Sequence, residues 1–203
     1  MRLASKILLY LLSIGVAGYA VVAYTAFPIG SLVHPDMLRS FQAHRIEVYV
    51  HIFTSALALL LGPLQFSQAL RARKPALHRW LGRAYLGLGV LPGGLAGLLI
   101  ARNAYGGMLS TLGFAALAIA WLYSGLRAYL AIRQRDIGTH RRWMIRNFAL
   151  TLAAVTLRCY LPLSMLTAIP FERAYPVIAW LCWVPNLLIA ERWLHSRGKQ
   201  APA

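Results

Sequence analysis

The sequence predicts an all-α, polytopic transmembrane helix bundle of about six spans, built as a single domain over residues 1–203. Three observations predict it. Apolar residues make up 59% of the chain and charged residues only 13%, where a soluble domain carries about 25% charged; mean hydropathy is +0.58. The apolar residues fall into six runs, most of them long enough to cross a bilayer. The basic residues collect in alternate connections between those runs, the asymmetry that sorting across a membrane produces. A net charge of +16 would otherwise point to nucleic acid. Here the charges are short clusters between apolar runs, so nucleic acid is not the expected partner; the lipid bilayer and its anionic headgroups are.

The first run, residues 7–27, follows Met1–Lys6. A signal peptide's apolar region is roughly 7–15 residues, whereas about 20 are needed to cross the hydrocarbon core. The length therefore reads as a retained first span. The second run covers 46–70. The third covers 80–101 and is headed by Trp80. The fourth covers 109–132. The fifth covers 144–166 and follows Trp143. The sixth, 177–193, is the shortest and is interrupted by Pro185. All are helices by expectation, because an unpaired backbone group in lipid costs several kcal/mol. Cys159 and Cys182 both lie inside apolar runs, which predicts free thiols and no disulfide.

The charge count orients the chain. Counting those at the adjoining run ends, sixteen of the 21 Lys and Arg residues belong to the N-terminal tail, the second and fourth connections and the C-terminal tail. Four fall in the first, third and fifth connections: Arg39, Arg45, Arg102 and Arg173. The remaining one, Arg158, lies well inside the fifth run, away from either end. The rich side is the cytoplasmic one, so both termini are expected in the cytoplasm, with the chain in a bacterial inner membrane.

An internal echo runs through the two most basic connections. Arg71-x-Arg73-x4-His78-Arg79-Trp80 matches Arg133-x-Arg135-x4-His140-Arg141, with Trp143 close behind. Convergence on basic, Trp-anchored hairpins explains it; so does duplication of a two-helix hairpin, which would relate the two units by an axis along the membrane normal.

The same segments resemble a known family. Gly62-Pro63-Leu64-Gln65-Phe66, then His78-Arg79-Trp80-Leu81-Gly82-Arg83-Ala84-Tyr85, then His140-Arg141-Arg142-Trp143-Met144-Ile145-Arg146-Asn147 resemble the bacterial membrane proteins of the domain-of-unknown-function 2306 family. The likeness covers roughly residues 45–160, and the His-Arg-Trp-x-Gly element is its most specific part. It implies a membrane protein and no activity.

Polar residues inside the spans are the candidates for chemistry, because ionisable groups in a membrane are costly and usually face the bundle interior or a cavity. On the second span His44, His51, Ser55 and Gln65 share one face, and Glu47 sits one turn before His51. On the fifth, His140, Asn147, Thr151 and Arg158 line up within about 20°. His140 and Arg158 are about 27 Å apart along the axis, which puts Arg158 at roughly the depth of His51 and Glu47. Asn147, Thr151 and Ser55 read first as helix–helix hydrogen bonding. Arg158 needs a partner, and Glu47 is the acidic residue at matching depth. The two form either a structural ion pair or, with His51, Asn147 and Gln65, a substrate or proton site of a small permease.

His78 and His140 admit three readings. They can ligate haem b from facing helices, with Arg79 and Arg141 receiving the propionates; this would make the chain a redox membrane protein. They and the arginines can meet anionic lipid headgroups, as in a structural or lipid-interacting membrane protein. Or they hydrogen-bond at the interface with no ligand. His44, Glu47 and His51, with His34 and Asp36 in the loop before them, form a weaker set for Zn or Cu; no metal is the expectation. Gly89-x3-Gly93-x3-Gly97 with Pro92 reads as close helix packing or as a broken helix lining a transport site. No Walker loop, nucleophile elbow or Cys-x-x-Cys is present, so nothing supports a hydrolase or a nucleotide enzyme.

Overall fold

The computed structural model describes residues 3–198, and the described residues contain helices and turns but no strand. Six helical segments are long and apolar enough to cross a membrane: Ile7–Ala26, Arg45–Gln65, Pro75–Ala101, Met108–Arg133, Ile137–Met165 and Phe171–Ser196. All six expected spans are present, and several ends move for local reasons. The second stops at Gln65 rather than residue 70, because the Ser67 hydroxyl accepts the Leu70 N–H at 3.2 Å and caps a separate short helix. The third starts at Pro75, ahead of Trp80. The fifth starts at Ile137, ahead of Met144, because Asp136 accepts the Thr139 N–H at 2.9 Å and caps the helix there. The sixth starts after Pro170 and is longer than expected at both ends.

In chain order the helices are α1 (Leu3–Ala26), α2 (Leu38–Ala43), α3 (Arg45–Gln65), α4 (Gln68–Arg73), α5 (Pro75–Ala84), α6 (Leu91–Ala101), α7 (Met108–Arg133), α8 (Ile137–Thr151), α9 (Ala153–Met165), α10 (Phe171–Leu181) and α11 (Val184–Gly198). A 3-10 turn (Pro35–Met37) precedes α2. Three spans are composite. Between α5 and α6 the chain is π-helical over Tyr85–Val90; Pro92 has no N–H to offer the Leu88 carbonyl, and the preceding turn widens. The fifth span is interrupted at Leu152, between α8 and α9. The sixth breaks after Leu181, just ahead of Pro185.

Neighbouring spans pack in sequence: α1 on α3, α3 on the π segment and α6, α6 on α7, α7 on α8. α10 packs on α7 and α9, α11 on α8, and α1 closes the bundle on α9. With six crossings both described ends of the chain lie at one end of the bundle, together with the 67–74 and 134–136 connections; we call it the basic end. The large apolar side chains left outside form a belt, with Leu11 64%, Ile119 56% and Ile189 67% exposed, a surface suited to acyl chains and a liability in water.

The glycine stripe is a packing seam. Gly89 of the π segment faces Ala58, and on α6 Gly93 faces Thr54 and Ser55 and Gly97 faces His51, all of them on α3. Small residues let two backbones approach where lipid supplies no hydrophobic drive. His78 and His140 each occupy the fourth residue of their helices, α5 and α8, so the sequence echo is also an echo in helical register.

A candidate intramembrane basic cavity

α1, α3 and α9 line a partly open cavity of about 50 Å³ toward the end of the bundle opposite the basic one. Its polar lining is His51, Ser55 and Arg158, and its apolar lining includes Ala17, Ala20, Ile52 and Leu59. The volume suits a few waters or a small ion. α3 brings His51 and Ser55 to it from successive turns. α9, which packs on α1, brings Arg158.

The His51 ring is fixed. Its Nδ1 lies 2.8 Å from the Gly93 carbonyl oxygen. A carbonyl only accepts, so Nδ1 carries the proton. Gly97 leaves room for the ring: a methyl group there would lie 2.9 Å from Nδ1. In the neutral ring Nε2 is then the nitrogen left free to accept a hydrogen bond.

Arg158 does not meet Glu47. Its Nη1 donates to the Ala154 carbonyl at 3.0 Å, and its guanidinium stands 5.7 Å from the Tyr19 ring centroid. No ion pair joins it to any acidic side chain among the described residues. The reason is depth: Glu47 lies in the first turn of α3, whereas the cavity begins one turn further along, at His51. The ion pair that does form is Arg146–Glu191, bidentate at 2.5 and 2.9 Å, between α8 and α11. Both residues fall inside runs expected from the sequence, and that they meet depends on how α8 and α11 are rotated toward each other, which periodicity along one run does not give.

Asn147 and Thr151 also lie outside the cavity. They belong to a buried network that ties the third, fourth and fifth spans. The Tyr85 hydroxyl donates to Asn147 Oδ1 at 2.6 Å and lies 2.8 Å from Thr151 Oγ1. Trp121 Nε1–H donates to Thr151 Oγ1 at 2.9 Å. Asn147 Nδ2 donates to the Trp121 carbonyl and to Ser124 Oγ. Every polar group of the Asn147 side chain is thus committed to the protein. Tyr85 and Trp121 were not anticipated. The π-helical turn at Tyr85, which aims its hydroxyl inward, has no signature in the sequence beyond Pro92.

Gln65 lies at the basic end, far from Arg158. It is 7% exposed, accepts Arg71 Nη1–H through its backbone carbonyl at 3.0 Å and rests its side-chain oxygen against Gly82. His78 and His140 converge there and sense each other electrostatically. His140 Nδ1–H donates to the Ala128 carbonyl at 2.9 Å; His78 Nδ1 is buried without a protein partner. Arg79 and Arg141 are exposed. His44, Glu47 and His51 do not converge: among the described residues no three His, Cys, Asp or Glu side chains gather closely enough to share a metal ion. His44 precedes α3 while His51 is turned onto Gly93. His34 stacks on Phe171 at 4.3 Å between ring centroids and sits 3.6 Å from Asp36, part of an aromatic plug at the far end. At the opposite end Asp136, accepting the Thr139 N–H, has its carboxyl held below the usual range. Cys159 and Cys182 are free.

Six membrane-spanning helices, three of which line a basic cavity, define a polytopic α-helical membrane protein. The family model described as "Predicted membrane protein (DUF2306)" matches residues 48–194, and the chain belongs to this domain-of-unknown-function 2306 family. The matched region includes His51, Ser55, Gln65, His78, His140 and Arg158 and leaves out α1. Among curated proteins and among solved structures, none matches the chain.

Proposed function

We propose that the chain is a small carrier that binds an anion, an inorganic oxyanion or a carboxylate, in the cavity between α1, α3 and α9. The basic end is taken as cytoplasmic, following the distribution of Lys and Arg, so the cavity lies in the outer half of the membrane. One observation carries the reading. Arg158 brings a permanent charge into the bundle, makes one backbone hydrogen bond there, and has no carboxylate opposite it among the described residues. A charge in a membrane without a counter-charge is expensive and characteristically functional. Four of the five guanidinium N–H groups have no protein acceptor in the hydrogen bonds of Arg158. His51 and Ser55 add polar groups beside it.

Haem b ligation by His78 and His140, with Arg79 and Arg141 toward the propionates, has less support. Neither histidine lines the cavity of about 50 Å³ or the second, of about 180 Å³, beside Trp143, and ligand pockets of cofactor size run to about 300 Å³ or more. Arg79 and Arg141, exposed at the basic end, suit contact with anionic headgroups.

The test is thermal unfolding of purified protein in mild detergent, titrated with the sodium salts of chloride, nitrate, acetate and phosphate at constant ionic strength. At least one anion should raise the unfolding temperature of the wild type and leave Arg158→Leu unmoved. No response of folded wild-type protein to any of the four overturns the anion reading.

A further inference from the structure

Buried polar atoms without partners are rare and call for an explanation. The described residues hold seven: Ser13 Oγ, His34 Nδ1, Ser55 Oγ, Gln65 Nε2, His78 Nδ1, Ser110 Oγ and Trp183 Nε1. Four of them fall on one file. Ser55 lines the cavity, one turn from His51. Gln65 ends the same helix, and Ser55 and Gln65 lie within about 80° of each other around it. Ser13 comes from α1. The Tyr10 hydroxyl donates to the Pro63 carbonyl at 3.1 Å, and Ala17 packs with Ala56 and Leu59. That antiparallel register sets Ser13 opposite Leu60. Ser13 is 0% exposed and shares its helix face with Ala17 and Ala20, both of which line the cavity. Ser13 therefore stands about 7–8 Å along the axis from Ser55 and as far again from Gln65, gaps that one or two waters bridge. His78 follows. Gly82, one turn beyond it on α5, abuts the Gln65 side chain.

We propose that this file, His51–Ser55–Ser13–Gln65–His78, is a water-bridged proton path from the cavity to the basic end, so that anion movement is linked to protons. The linkage to an anion rests on the reading above; the path itself does not. His51 Nε2 takes a proton from water in the cavity. Each hydroxyl and bridging water accepts one proton and passes on another, the Gln65 amide orients the water next to it, and His78 releases a proton at the far end. One proton enters and one leaves, and only N–H and O–H bonds change. The groups facing His51 are Arg158 from α9, with Tyr19 and Tyr24 of α1 beside that arginine; α6 presents glycines. Those facing His78 are Arg71, His140 and Arg79. Static buried waters are the competing account of the same orphaned atoms, and they conduct nothing.

The experiment uses the full chain in liposomes loaded with a pH-sensitive dye, in potassium gluconate, with a valinomycin-set potential driving protons inward. Wild-type vesicles should acidify faster than protein-free ones. Ser13→Ala and Gln65→Leu should each slow this by about tenfold, the rate effect of about 1.4 kcal/mol of added barrier. Ser110→Ala, which removes an orphaned hydroxyl away from the file, should leave it unchanged. Ser55→Ala replaces any variant that does not elute as wild type on gel filtration. Acidification no faster than in protein-free vesicles, or wild-type rates in any folded file variant, overturns the path. The assay contains none of the four anions of the unfolding test, so its failure leaves the anion reading standing.

Discussion

The Nδ1–H of His51 is bound to the carbonyl oxygen of Gly93 at 2.8 Å, across the tight seam between α3 and α6. Gly97, one turn further along, leaves space for the ring, and the carbonyl decides the tautomer. His51 is thereby turned away from His44 and Glu47 and toward Ser55 and Arg158. A metal site on one helix face becomes a mixed polar cavity between three helices.

Arg158 and Glu47 act independently. Glu47→Leu should change stability by less than about 0.5 kcal/mol, as surface changes do. Arg158→Leu should not lower stability in anion-free detergent, because it removes a charge that costs on the order of 3 kcal/mol to place in a membrane. The double replacement should equal the sum of the singles within about 0.5 kcal/mol. Recovery in the double variant of a loss seen in both singles would restore the ion pair that the structure does not contain.

The Tyr85–Asn147–Thr151–Trp121 network holds three spans together. Tyr85→Phe strips the donor from Asn147 Oδ1 in a site that is fully buried. The expected loss is about 1–2 kcal/mol in reversible unfolding, the cost of leaving one buried polar atom unpaired. Unfolding indistinguishable from wild type would mean that the hydroxyl contributes nothing.

Arg146 and Glu191 join α8 to α11 with side chains 22% and 35% exposed. A cycle of Arg146→Gln, Glu191→Gln and the double variant should return a coupling of about 1 kcal/mol, below that of a fully buried pair because water screens both groups. A coupling of zero would leave the α8–α11 contact to its apolar side chains.

Topology follows from charge. Reporters fused after Lys74 and after Asp136 should signal the cytoplasm, and those fused after Arg102 and Arg173 the outside. A cytoplasmic signal at Arg102 would contradict six antiparallel crossings.

The sequence by itself determined the class of this protein. Lipid leaves the backbone no partner but itself, so a run of about 20 apolar residues is a helix wherever it occurs. Number of spans, alternation of direction and the packing role of Gly89, Gly93 and Gly97 were therefore legible. So was the isolation of Arg158 among apolar residues, and its alignment in depth with His51. The tertiary structure decided the partners. Glu47 and Glu191 look alike in sequence, yet only Glu191 meets an arginine, because a one-turn difference in depth separates two charges by more than a hydrogen bond spans. Asn147 and Arg158 share a face on paper. In the fold one enters a satisfied network and the other lines a cavity. Ser13, in the run read as a retained first span, gains its meaning only from the register of α1 against α3. Such pairings depend on helix rotation and offset, which side-chain packing between spans sets and periodicity along one span does not.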